Sequence, residues 1–320
     1  MDLGKLRYLA ASFLGLTAAA AAAADSAVLV PPEPFSYTVS VSAGVQAGTV
    51  SEYVYYPDGT VMSRLDWQEK PSYYAELAGS VCVYGVYAGV SASASLPVYC
   101  GIMEDYDWLY TKDLTAPTNY SRHDMRVNRR FDFTGLLGYR FDFGDITITP
   151  LAGLRCISQK WTASGGYFQY GANGLPLTGG EAKTPVSGDC ISYEQLVLLP
   201  AAGFQIECVP SRSVVLGLFM YLYPYVYADA LDLHLMRDTQ FYDEMRGGNG
   251  FAAGISAGYR FAKNRAHVSD ISLTLRYDYY KTGGGESFSS SIGQPLAASA
   301  GIYPGTESSC LSVSAVLRFR

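Results

Sequence analysis

The sequence predicts an all-β fold: a transmembrane antiparallel β-barrel of about ten strands, extended above the outer leaflet of an outer membrane. Three observations lead there. The chain opens MDLGKLRYLAASFLGLTAAAAAAADSAV, with a basic start, an apolar run and small residues before Asp25. That is the pattern of a secretory signal peptide cut after Ala24, so residues 1–24 are set aside and 25–320 are taken as the barrel. Charged residues are only 16% of the chain, well under the quarter typical of soluble domains, while aromatics reach 14% with 27 tyrosines. No later stretch is apolar for the roughly 18 residues a spanning helix needs. Lastly, apolar and polar residues alternate with period two along most of the chain, as expected where one face meets lipid and the other a lumen.

The alternation is explicit in DISLTLRYDYY (270–280), where Ile271, Leu273, Leu275, Tyr277 and Tyr279 share one face. It recurs in YTVSVSAGVQAG (37–48), VYAGVSASASL (86–96), GFAAGISAGYRF (250–261) and the closing LSVSAVLRFR. A soluble β-sandwich would alternate too, with its apolar face inward; the leader and the tyrosines favour the barrel. Strands are expected near 36–56, 60–80, 83–99, 125–141, 146–170, 190–207, 212–230, 249–262, 269–282 and 307–320. Connections then alternate short (81–83, 142–145, 208–211, 263–268) and long (100–124, 171–189, 231–248, 283–306), after a brief first outer turn at 57–60. Several strands exceed the roughly 9–11 residues that cross lipid, so the wall should rise outside and hold a cleft there. Pro224, inside MYLYPYVYADA, predicts a bulge or irregular pairing.

Net charge is −6, which gives no basic footprint for nucleic acid. Six cysteines in an exported chain permit disulfides, but no connectivity follows from their spacing. The chemistry should sit in the raised cleft. In MEDYDWLY (103–110), Asp105 and Asp107 are two apart and so share a face on a strand, a like-charge pairing that is costly unless used. Odd residues of the third strand form its polar face, so continued alternation turns both acids inward. In ALDLHL (230–235), Asp232 and His234 are likewise two apart, and an acid beside an imidazole fixes its tautomer and raises its basicity. Even parity on the first strand places Glu52 in the lumen. Each pair taken alone is also compatible with solvated loop residues.

Several segments in this order resemble the omptin family of outer-membrane endopeptidases. They are SRLDWQ (63–68), DYDW (105–108), SRH (121–123), WTASGGY (161–167), ISYEQ with the later Pro200, and DLH (232–234). Asp124 stands where the family usually has proline. The resemblance implies a ten-stranded barrel with an extracellular groove in which an Asp pair faces an Asp–His pair across a water. Carried over, His234 is the general base, Asp232 orients it, and Asp105 and Asp107 hold the water and manage a proton. No nucleophilic serine or cysteine, no metal and no cofactor is implied. Glu52 matches one of two acids that read a basic residue before the cut bond. The other maps to Ala230, with Asp229 adjacent but of the wrong parity, so a weaker Arg/Lys preference is expected. The family's lipopolysaccharide contacts map to Leu154, Cys156, Ser158, Leu196 and Arg246, which implies little or altered dependence on that lipid. Two functions remain open: an endopeptidase acting on polypeptide substrates, or a non-catalytic barrel such as an adhesin or pore.

Overall fold

The computed structural model describes residues 29–109, 115–264 and 267–320; the leader segment 1–24 lies outside the described residues. Ten long staves form the wall: β1 (Phe35–Tyr55), β2 (Val61–Val83), β3 (Val86–Ser95 and Val98–Asp107), β4 (Asn119–Tyr139 and Phe141–Phe143) and β5 (Ile146–Tyr170). They continue as β6 (Asp189–Ser211), β7 (Val214–Tyr223 and Tyr227–His234), β8 (Thr239–Arg246 and Asn249–Asn264), β9 (His267–Lys281 and Gly285–Ser291) and β10 (Tyr303–Phe319). Each pairs antiparallel with its neighbours in sequence, and β1 pairs with β10 from Val39↔Phe319 to Tyr55↔Tyr303, closing the ring. Closure leaves no long unpaired edge, which lipid requires.

The lower half is the regular part. Val41, Leu77, Val90, Leu137, Ile255, Leu273 and Leu317 are exposed on its outer wall, all at positions where alternation turns apolar side chains out. Short turns join staves at the base. Tyr84 and Gly85, both at positive φ, make the two-residue turn between β2 and β3, and a Cβ at Gly85 would strike the Tyr139 ring. Inside this half, charges are paired: Arg155 bridges Asp132 and Asp278, and Arg276 also binds Asp278. Glu207 is met by Arg260, Arg318 and Arg320.

Above it, most staves slip by one residue. Lys70 and Pro71 are both exposed on β2; pairing shifts beside Asn128 on β4; Pro224 interrupts β7; Gly247–Gly248 interrupt β8; residues 282–284 interrupt β9. Each slip exchanges the inward and outward sets and bends the wall. The irregularity expected at Pro224 is therefore real and belongs to a belt of such breaks. The expected long connections are shorter than their sequence suggested. Staves β3, β7 and β8 run on through 98–107, 227–234 and 239–246, so both acid pairs lie on strands rather than in loops. Sequence alone stopped those strands at the polar residues, where the outside of the wall is no longer lipid and apolar alternation ends.

An aromatic floor closes the lumen beneath the raised part. Trp67, Trp161 and Tyr193 stack with ring centroids 5.7–6.0 Å apart and are buried. Met103, Met125 and Met245 pack into the same core. Below them Gln159 donates to Gln195 (2.8 Å) and to the Tyr280 hydroxyl (3.2 Å). The six cysteines are all free thiols, three of them buried.

Candidate active site

Asp105, Asp107, Asp232, His234 and Glu52 all lie on the raised part of the wall, above the floor. On β3, Asp105 is buried and faces inward, and Asp107 lies two residues on, with Asn119 Nδ2 3.4 Å from its Oδ2. The inward direction comes about indirectly. Ser95 faces in, Leu96 and Pro97 are both exposed, Tyr99 faces out, and pairing shifts again between Tyr99 and Ile102. Two slips cancel and restore odd parity at Met103 and Asp105. Gly101 makes the second slip possible: its φ is 115°, and a Cβ there would lie 2.0 Å from the Gln68 carbonyl oxygen.

On β7 the slip at Pro224 turns Val226, Ala228, Ala230 and Asp232 inward after Tyr221 and Tyr223. His234 closes the stave. Its Nε2 donates to Asp232 Oδ2 at 2.6 Å, and Phe241 stands edge-on to the ring at 5.4 Å. The other Asp232 oxygen, Oδ1, is buried without a hydrogen-bond partner, as is Oδ1 of Asp105. Asp229 points away and accepts from Tyr227 Oη at 2.8 and 2.9 Å, in keeping with its parity. Glu52 is buried on the inner face of β1, between Leu65 of β2 and Thr306 of β10.

Electrostatics tie these groups together. Burial, with Asp107 adding, pushes the Asp105 carboxyl up to about 8, opposed by His234. Burial disfavours the His234 imidazolium, but Asp232 and then Asp105 more than offset it and hold the ring above its ordinary value. Glu52 is held well above the usual carboxylate range by burial first, then by Asp232, Asp243 and Asp105. Arg237, in the 3-10 turn Leu235–Arg237 that follows His234, favours the ionised form of Asp105.

Two features were missed. Asp243 on β8 is buried at the cleft, because 231–248 was read as a connection and no parity was applied; Phe241, Asp243 and Met245 in fact alternate. The floor was missed because its rings come from β2, β5 and β6. His123, by contrast, serves structure. Its Nδ1 donates to the Gly165 carbonyl at 2.5 Å, its Nε2 accepts from Ser121 Oγ at 2.9 Å, and burial lowers its pKa. Ser121 is the register partner of Asp105, so this bond fixes the wall beside the acid pair.

Comparison with known proteins agrees with this architecture. The Omptin family model matches residues 33–319. The plasminogen activator of Yersinia pestis is 26% identical over 323 residues, covering 99% of each chain. The crystal structure of the outer membrane protease OmpT from Escherichia coli superposes with a TM-score of 0.79 at 18% identity, over 92% of this chain and 98% of that one. The chain therefore belongs to the omptin family, and with it to the Gram-negative outer-membrane proteases.

Proposed function

We propose that the chain is an aspartic-type endopeptidase that hydrolyses exposed polypeptides with a water activated between Asp232–His234 and Asp105–Asp107. The observation that carries this is the 2.6 Å hydrogen bond that holds the His234 ring on buried Asp232, with the buried Asp105 on another stave close enough to act on the same imidazole. With Nε2–H donated to Asp232, the lone pair of His234 lies on Nδ1, available to a water. As the water oxygen bonds to the scissile carbonyl carbon, His234 takes a water proton and Asp232 stabilises the imidazolium. Asp105, protonated near neutral pH, donates a hydrogen bond to the forming oxyanion, and Asp107 orients the water from the same side. Collapse of the tetrahedral species breaks the C–N bond, and the proton on His234 goes to the departing amine. A pair of close carboxyls that shares a proton suits this better than two ionised ones, which is what the sequence's costly spacing achieves.

Glu52, lumen-facing and without a cationic partner among the described residues, supports a preference for Arg or Lys beside the cut bond. The closed aromatic floor speaks against a pore. Lipopolysaccharide is proposed to have little influence, since Leu154 and Leu196 present apolar surface on the outer wall where the family resemblance expects charge. The test is cleavage of unstructured peptides by refolded protein. Wild type should cut, and Asp105→Asn and His234→Ala should each lose roughly 100- to 10,000-fold. No cleavage by any of the three would favour an adhesin.

A further inference from the structure

Two buried carboxylate oxygens in the cleft have no partner and no role in the water chemistry: Glu52 Oε2 and Asp243 Oδ1. Both residues are only 3% exposed. Such groups cost the fold stability unless something completes them. No ion pair among the described residues involves either acid.

Their placement points to what completes them. Asp243 is the direct register partner of Ala230 on β7, and both are buried. Side chains opposite one another on paired strands stand about 5 Å apart at Cβ and face the same way. Ala230 contributes only a methyl group beside the Asp243 carboxylate, so the strand that pairs with Asp243 supplies it no polar partner from that position. On the other flank, Ser287 of β9 is the register partner of Asp243 and hydrogen-bonds its carboxylate, fixing one oxygen and leaving Oδ1 free. Glu52 reaches the same space from β1 and feels Asp243.

We infer that Asp243 and Glu52 together form the cation-binding end of the substrate pocket, with Asp243 the specificity-determining residue that the sequence pattern did not reveal. This deepens the endopeptidase reading above and rests on it. Two acceptors on different staves suit a guanidinium, whose donors are spread over three nitrogens, and accept an ammonium less fully. Burial, with Asp232 adding, pushes the empty Asp243 carboxyl up to about 7, and a bound cation would reverse that cause. Asp243 is then a substrate contact, distinct from the groups that activate water.

The experiment measures kcat/KM on matched peptides with Arg or Leu before the cut, for wild type, Asp243→Asn, Glu52→Gln and the double variant Asp243→Asn/Ala230→Asp. Asp243→Asn should lower the Arg-over-Leu ratio by roughly tenfold to a hundredfold, mostly through KM. An unchanged thermal midpoint and heat-modifiable gel shift of Asp243→Asn in detergent report an intact fold. The double variant returns the acid to the same space from the paired strand and should restore most of the ratio. An unchanged ratio in Asp243→Asn, with Glu52→Gln still abolishing preference, overturns this inference and leaves the endopeptidase reading standing. Absence of any Arg preference in wild type overturns the pocket itself, and absence of cleavage overturns both.

Discussion

The lower wall and the raised rim bury ionisable groups in opposite ways. In the lower wall Arg155 lies between Asp132 and Asp278, and Glu207 sits among three arginines, so acids inside the lumen meet cations. In the rim, Glu52, Asp105, Asp232 and Asp243 are all buried, and each has an oxygen with no partner. The outer faces differ too: aliphatic below, and above it polar and aromatic contacts such as Arg64 over the Tyr106 ring at 4.8 Å. Matched charges close a wall, whereas an excess of unmatched acids is stable only because the staves below hold it in place. On the mechanism proposed above, it is kept for chemistry.

The contrast is broken most directly by removing one charge from each region. Arg155→Leu leaves Asp132 without its ion-pair partner inside the lower lumen and Asp278 with Arg276 alone, and such a loss costs about 3–5 kcal/mol. Asp105→Asn removes an acid that burial already disfavours, so stability should hold or rise. Activity should respond the other way: Arg155→Leu cuts peptides while folded, and Asp105→Asn does not. Thermal midpoints of refolded protein in detergent, read alongside peptide turnover, check both. Equal destabilisation by the two variants would remove the distinction between the regions.

A second prediction sharpens the distinction within the rim. The folded His234 ring holds its proton above the ordinary value near 6.5, so the base form is lost as pH falls through that raised pKa. Asp105 is protonated up to about 8, so its donor is lost as pH rises past that point. Activity should therefore show a narrow bell, with an acid limb from His234 and an alkaline limb from Asp105. Asp232→Asn removes the main support of the imidazolium and should move the acid limb to lower pH while reducing the rate. A flat profile between about pH 5 and pH 9, which spans both limbs, would count against both roles.

Much of this was legible in the sequence, and the reasons are local. Strands such as 270–280 show uninterrupted alternation because lipid on one side and lumen on the other constrain every residue. Glu52 could be assigned because β1 keeps one parity throughout its length. Counting from Ser95 turns Asp105 inward, in agreement with its burial, although two slips lie between them and happen to cancel. The belt of bulges was not legible beyond Pro224, since register shifts depend on the neighbouring stave. Asp243 was hidden for the same reason: above the membrane the outer face no longer needs apolar residues, so the strand signal fades where the site begins. Floor rings from three distant segments give no periodic signal at all.

The smallest effects belong on the outside of the wall, where lipid meets the rim. Leu154 and Leu196 are exposed there, and Arg246 alone among the positions that resemble the family's lipopolysaccharide contacts is charged. Arg246 already donates to Glu244 at 2.8 Å and lies over the Tyr227 ring at 5.6 Å, with most of its side chain in solvent. Exposed pairs of this kind contribute about 0–1 kcal/mol, and one cation offers little hold on a multiply phosphorylated lipid. Inside the wall, the aromatic floor and the Ser121–His123–Gly165 bonds brace the same rim. Adding lipopolysaccharide to refolded protein should therefore change kcat/KM by less than roughly threefold, and Arg246→Ala should leave that factor and the thermal midpoint nearly unchanged. Activation by tenfold or more, lost in Arg246→Ala, would show that the lipid still orders this rim from outside and that the wall's exterior shapes the site as much as its interior does.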